Sequence, residues 1–510
     1  MMKISHVIAF VGFSMLISCS PKEQPKPNFL FIFTDDQTNE SIRALNNSEV
    51  ETPNIDKLVE GGVTFTHCFN QGSWSGAVCV ASRSMLITGQ TVFKVTENKA
   101  YLSNFGLEGV KTEKITEVPL WGEVLSQNGY ETFCTGKWHN TPYALLKGFD
   151  KGKAVGGGFY ETFDKNGSKE PGYGRSSPDS EWKPWDKAFT GHWTPKVNDI
   201  VNNSDGEKVM GEAYSVNQHT SELYADKAVE YLENDAKNSD NPFFMFVAFN
   251  APHDPRQSPK EFVDKYPLSS IKVPENYLDE HPFDQGEKET LRDEILMPFP
   301  RTKEGVQLHR SEYYAMITHL DQQMGRILAA LEKSGKAENT YIIFSSDHGL
   351  ALGQHGLMGK QNQYDHSVRM PLIIKGPGLE KGKKVSNKVY LQSIFATTCD
   401  LASIKTPETV EFKSLNGLLQ GSGPGGEDLI FGTYKAFQRM IRSDEYKLII
   451  YPEVKKIQLF DLINDPKEMN NLAGKEEYEN VKKEMMQQLL LKQKELGDYL
   501  VLDPVEDYDI

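Results

Sequence analysis

The chain has 510 residues, 38% of them hydrophobic and 25% charged, with a formal net charge of −15. Such a balance describes a folded globular protein and excludes nucleic acid as the main partner, because a polyanion meets a repulsive field. The length exceeds one ordinary core, so two domains, or a large one with an appendage, are expected.

Met1, Met2 and Lys3 precede an apolar run from Val7 that closes in Leu16, Ile17, Ser18 and Cys19. A charged start, a short apolar region and a small residue before cysteine read as an export signal over residues 1–18, not as a membrane span. The run resembles a bacterial lipoprotein signal, which implies lipidation of Cys19 and membrane attachment through that lipid. Residues 19–27 are then a polar tether, and the protein faces the periplasm or lies at the outer membrane or cell surface. Of the other cysteines, Cys68 and Cys134 belong to strand-like stretches and read as core. A disulfide framework is not expected, although one bridge among Cys68, Cys134 and Cys399 stays open.

Asn28 to Phe33 is a continuous apolar run, the pattern of a strand buried on both faces of a parallel sheet. It ends in Asp35 and Asp36, adjacent carboxylates that repel each other unless a cation sits there. A helix over Asn54 to Gly61 and a strand over Val63 to His67 follow. Ser75 to Gly89 then holds Cys79 and Arg83 in a hydroxyl-rich turn leading into Met85, Leu86 and Ile87. A helix over Glu117 to Asn128 precedes a strand over Tyr130 to Gly136. Lys137 and His139 come next, and from an extended segment they would point the same way and could grip an anion together.

Residues 147–209 show little periodicity and carry Arg175, Trp182, Trp185, His192 and Trp193. They suit a binding loop for charged sugar rings, or equally an ordinary surface excursion. A helix over Thr220 to Asn234 leads to the apolar run Phe243 to Phe249, which ends near His253. Residues 255–310 read as polar loop, and Ser311 to Ser334 as a helix. The strand Tyr341 to Phe344 ends in Asp347 and His348, and a glycine-rich loop carries Lys360. Val389 to Ala402 reads as a last helix before the break at Gly421 to Gly426. Beyond it, short strands and a helix over Glu476 to Leu496 form a smaller subdomain, residues 427–510, in which Arg439 reads as a strand-surface charge in preference to a group reaching the cleft.

The expected fold is α/β: a large mixed, mostly parallel sheet sandwiched by helices over residues 28–420, with a smaller C-terminal antiparallel sheet plus helix. In open α/β sheets the carboxyl edge binds ligands. Asp35 and Asp36, Lys137 and His139, His253, and Asp347 and His348 each follow a buried-strand pattern, so one parallel sheet would gather them in one crevice with Cys79.

The run Cys79, Val80, Ala81, Ser82, Arg83, followed by Ile87, Thr88 and Gly89, resembles the signature of the sulfatases. The resemblance spans Pro27 to about Ala473. It implies that a maturase oxidises Cys79 to formylglycine (3-oxoalanine). It also implies one divalent cation, calcium in most members, held by Asp35, Asp36, modified Cys79, Asp347 and His348. In that scheme Arg83 anchors the formylglycine, while Lys137, Lys360 and His253 neutralise the sulfate. His139 takes a proton, and His253 or Lys360 protonates the leaving sugar. Two positions depart from the pattern. Ala81 replaces a frequent Pro, which bears on the maturase, and His348 is the less usual ligand, whose imidazole also suits softer metals.

Together these features imply an exported sulfatase acting on a sulfated polysaccharide or its oligosaccharides. Algal polymers such as ulvan, carrageenan or fucan are favoured, with host glycosaminoglycans as the alternative. The rival readings are a phosphodiesterase or phosphonate hydrolase of the same superfold, and a catalytically dead carbohydrate-binding lipoprotein.

Overall fold

The computed structural model describes residues 25–97, 118–158, 174–178, 182–286, 291–421, 423 and 425–510. The expected signal and Cys19 lie outside the described residues. The strand Asn28–Thr34 runs through the middle of a ten-stranded sheet. It pairs in parallel with Thr340–Ser346 on one side and Phe243–Ala248 on the other, and Phe243–Ala248 pairs in parallel with Glu131–Lys137. The four apolar runs expected to lie side by side therefore do so, with their carboxyl ends at one edge. The sheet is mixed because Arg369–Lys375 inserts antiparallel between Thr340–Ser346 and Val63–Phe69.

Alternation along the central strand builds a core on each face. Phe29, Phe31 and Phe33 pack with Trp121, Phe244 and Phe246 on one side. Leu30 and Ile32 turn to the other, against Met245, Val247 and the helical residues Met316, Leu320 and Met324. Aromatic contacts reinforce the first core, with the Phe31 and Phe246 ring centroids 5.2 Å apart.

A second sheet contains Ile430–Tyr434, Gln438–Arg442, Tyr446–Tyr451 and Lys456–Asp461, and the helix Glu479–Leu496 packs on it through Met485, Met486 and Leu489. Its edge is completed by Gly72–Ser73, which pairs in parallel with Thr433 and Tyr434. The chain leading to Cys79 is thus a strand of the C-terminal sheet. Gly72 permits this: its φ is +104°, and a Cβ there would stand 1.8 Å from the Thr433 carbonyl oxygen.

Several expectations need correction. The long helix is Lys303–Lys333, not Ser311 to Ser334; Thr302 caps it by accepting from Gly305 N, and its polar first turns pack through Val306 against Tyr266 and Ile271. The helix Thr220–Glu230 gives way to a wider turn over Tyr231–Asp235. Val389 to Ala402 is a strand end followed by a helix, Lys383–Tyr390 and then Ser393–Leu401. Arg439 is no surface charge: it is buried and held by both oxygens of Asp498.

The insertion at residues 147–209 contributes the strands Lys151–Gly156 and Lys196–Asn198 to the main sheet, and Trp182, His192 and Trp193 are buried. Cys68, Cys134 and Cys399 are buried free thiols, so none of the bridges left open forms.

Asp321, inside the long helix, caps another helix from outside. Its carboxylate accepts from Asn54 N (3.1 Å) and Ile55 N (2.8 Å), the otherwise orphaned donors of Pro53–Gly61. Burial pushes its pKa up from 3.8 to about 6 despite those bonds. The folded state therefore holds a proton that the unfolded state releases first, so this group's contribution to stability falls as pH rises from about 4 to 6. Asp321→Asn is expected to remove that slope, worth ~2–3 kcal/mol for a shift of this size. Equilibrium unfolding of both proteins at pH 4 and pH 6.5 checks it, and an unchanged difference would refute it.

Candidate active site

Asp35 and Asp36 follow the central strand directly, and Asp36 turns the chain with φ +68°. That strained turn is held from the long helix: the Tyr313 hydroxyl donates to Asp36 O (2.8 Å) and accepts from Thr38 N (3.0 Å). One strand over, Asp347 Oδ1 accepts from Asp36 N (3.2 Å) and His348 N (3.0 Å). Its carbonyl accepts from Ser82 Oγ (2.7 Å) and Asn70 Nδ2 (2.8 Å).

Cys79 does not sit in a loop. It lies in the first turn of the helix Val78–Thr88, every residue of which is buried. Its sulfur is 3.2 Å from His348 Nε2 and 3.3 Å from Lys360 Nζ. One turn later, Arg83 reaches back to the strand ends. Its Nε donates to Asp347 Oδ2 (3.1 Å), Nη1 to Lys137 O (2.9 Å), and Nη2 lies 3.7 Å from Asp35 Oδ1.

Lys137 pairs with Asp35, and Lys360 donates to both oxygens of Asp36 at 2.8 and 3.0 Å. His253 Nε2 lies 3.9 Å from Asp36 Oδ2. Its Nδ1 is 2.7 Å from Asp254 O, so that nitrogen carries the proton. His348 repeats the device, with Nδ1 donating to Gly349 O (2.9 Å) and Nε2 turned toward Cys79, Asp36 and Asp347. His139 is buried close enough to feel Lys137, Arg83 and Asp35, but the strand ends at Lys137 and His139 itself has φ +66°. The expected extended Lys137-to-His139 grip is therefore a turn. The eight strand-end and loop groups nevertheless gather with Cys79 and Arg83 at one place.

Burial and neighbouring charges move these groups in opposite directions. Burial pushes Asp35 up, but Lys137, with His253 and Arg83 behind it, holds its carboxyl well below the usual range. Burial and the neighbouring Asp35 charge push Asp347 the other way, to about 6. Burial holds His139 well below the usual imidazole range, helped by Lys137 and Arg83, so its ring is neutral. Burial and Asp35 push the Cys79 thiol well up despite both lysines. As a cysteine it is protonated and a poor nucleophile.

The donor atoms of Asp35, Cys79, Asp347 and His348 lie within 4.8 Å of one another, as do those of Asp36, Cys79 and His253. Asp35 Oδ1 is buried without a hydrogen-bond partner. Three carboxylates, one of them with an orphaned oxygen, and an imidazole lone pair fit a divalent cation. Ser82, Asn70, Tyr313, Asp254 and Asp293, the last 3.8 Å from Lys360, complete the surroundings and were not legible in advance. Asn140, whose Nδ2 donates to Ser84 Oγ (2.7 Å), had one signal, its place next to His139.

The family model described as Sulfatase matches residues 27–404, and the one described as N-sulphoglucosamine sulphohydrolase, C-terminal, matches residues 353–495. An arylsulfatase of Clostridium perfringens is 28% identical over 480 residues, covering 92% of this chain and 95% of its own. An ulvan-active sulfatase of Formosa agariphila is 28% identical over 529 residues, covering 98% and 89%. A structure solved in complex with its substrate, D-glucosamine-2-N,6-O-disulfate, shares the fold with a TM-score of 0.69 at 24% identity, over 94% of this chain and 99% of that one. With the match over residues 27–404, the chain belongs to the sulfatase family and is a sulfuric ester hydrolase.

Proposed function

We propose that the protein is an exported sulfatase that removes sulfate from a sulfated polysaccharide or its oligosaccharides, using formylglycine at position 79 and one bound divalent cation, calcium by preference. The observation that carries this reading is the meeting of three carboxylates, two lysines and an imidazole around Cys79, a residue too buried and too basic to act as a thiolate. The ulvan-active relative supports an algal polymer as substrate, and the apolar run before Cys19 supports export on a lipid anchor. Maturation requires a formylglycine-generating partner.

Asp35, Asp36, Asp347 and His348, with the modified position 79, would hold the cation. When bound, the two groups supply a hydroxyl nucleophile of lowered pKa and charge to polarise the sulfate oxygens. Lys137 and Lys360 pair with Asp35 and Asp36, and with a cation held by those carboxylates their charge would be available to the sulfate. His139, kept neutral, accepts a proton at a ring nitrogen. His253 or Lys360 gives one to the leaving sugar oxygen. Arg83 fixes Asp347 and the Lys137 backbone, and with them the geometry in which these groups meet.

Peptide mass spectrometry across Ser75 to Arg83, on protein made with a maturase, is expected to show an aldehyde at position 79. Intact cysteine alone would remove the nucleophile. Parallel assays should favour sulfate over phosphate esters of the same sugar, and a preference for phosphate would overturn the assignment. Lys360→Ala is expected to lower kcat/KM by about 10²–10³-fold, the usual cost of one stabilising donor. A loss under tenfold would take Lys360 out of the sulfate clamp. Chelation should abolish turnover, with recovery on adding calcium; full activity in excess chelator would refute a cation-dependent site.

A further inference from the structure

Apart from the strand ends, a second cavity of about 290 Å³ opens beside the long helix. Leu308 and Glu312 of that helix form one side, Tyr266 another, and the loop with Trp182 and Trp185 the third. Small-molecule sites begin at roughly 300 Å³, so the space suits one sugar ring.

Arg175 lines this cavity. Its guanidinium stacks 4.3 Å from the Trp182 ring and pairs with Glu312, yet its Nε is buried without a partner. Arg256 stands close by. It packs 5.2 Å from the ring of Tyr313, the neighbour of Glu312, and gives one N–H to Pro252 O. Its Nε and Nη2 have no partner, and among the described residues no carboxylate pairs with it. Burial, with Arg175 and Arg256 beside it, holds His309 well below the usual imidazole range, so that residue adds no charge.

Glu312 therefore pairs with only one of two neighbouring buried guanidiniums, that of Arg175, while the charge of Arg256 acts on it from farther off. An uncompensated buried cation is costly, and an anion arriving with a ligand relieves it. Trp185, only partly buried, lines the same space, with Lys260 Nζ 5.2 Å from its ring centroid. Aromatic rings of this kind bury apolar sugar faces, while guanidinium nitrogens match planar or tetrahedral anions.

We propose that this cavity is a second saccharide site, taking one sugar ring that bears a sulfate or carboxylate group, with Trp185 as its wall and Arg175 as the anion's partner. It rests on the reading of the substrate as a sulfated glycan, whose repeating charged rings could occupy this site as well as the strand-end crevice. The two places are joined structurally. Arg256 lies three residues beyond His253, and Tyr313 holds the Asp36 turn.

The test titrates full-length Cys79→Ala protein, which cannot consume the probe, with glucose 6-sulfate, glucuronic acid and glucose, followed by tryptophan fluorescence. Saturable binding is expected for one or both anionic sugars, at least tenfold tighter than for glucose. Trp185→Ala and Arg175→Lys should each weaken it at least tenfold. If Arg175→Lys does not fold, Trp185→Ala, a change at a partly exposed residue, still decides between a site and none. Absence of saturable binding, equal affinity for glucose, or binding unaltered by Trp185→Ala would each overturn the site. Sulfate release by the mature wild type, measured alongside, tests the catalytic reading separately, since an active enzyme without binding here would refute this inference alone.

Discussion

A single buried guanidinium holds the centre together. Arg83 is 2% exposed, yet it meets the ends of three strands: Asp35 after the first, Lys137 O at the end of the second and Asp347 after the last. Burial would lower its pKa, but Asp347 and Asp35 raise it, so the charge is kept. Its Cζ also lies 4.8 Å above the Phe33 ring, which belongs to the core under the sheet edge. A buried pair that loses one partner is destabilised by about 3–5 kcal/mol, because the remaining charge is stranded. Arg83 is therefore as much a fastener of the sheet edge as an orienting group for Cys79, which stands one helical turn before it.

The fastener reaches the strand ends because the C-terminal sheet fixes the chain leading into the helix that carries both Cys79 and Arg83. Gly72–Ser73 hydrogen-bonds as an edge strand of the C-terminal sheet, and the helix carrying Cys79 begins five residues later. The same edge also depends on the close approach of neighbouring strands. Gly136, with φ +96°, lets Glu131–Lys137 pass so near Phe243–Ala248 that a Cβ would stand 1.8 Å from Ala248 O. Lys137 owes its depth in the site to that approach.

How much of this could be read from the chain depended on what buries each segment. Strands covered on both faces are continuous apolar runs, so Asn28–Thr34, Phe243–Ala248 and Thr340–Ser346 were legible, and with them the residues at their ends. Lys383–Tyr390 lies at the sheet edge and carries Lys383, Lys384 and Lys388, charges that guard an edge but hide the alternation. The aromatic and basic residues of the insertion were ambiguous for a physical reason. Arg175 over Trp182 inside a protein has the same composition as a sugar-binding surface. Asn70, Ser82 and Tyr313 act through backbone carbonyls and amides that only the folded chain brings near, and no spacing announces them.

The charges around Cys79 explain why this arrangement suits a loaded site better than an empty one. Asp35, Asp36 and Asp347 are matched in number by Arg83, Lys137 and Lys360, all of them buried. Asp35 is held ionised, chiefly by Lys137, while burial and the neighbouring Asp35 charge push Asp347 up to about 6, although both carboxylates face Arg83. In the proposed loaded state a divalent cation would satisfy both carboxylates and Asp36 at once. The three basic side chains would then face an excess of positive charge that an anionic sulfate ester can relieve. Substrate charge would restore the balance that the cation shifts, and Cys79 stands where that balance is struck.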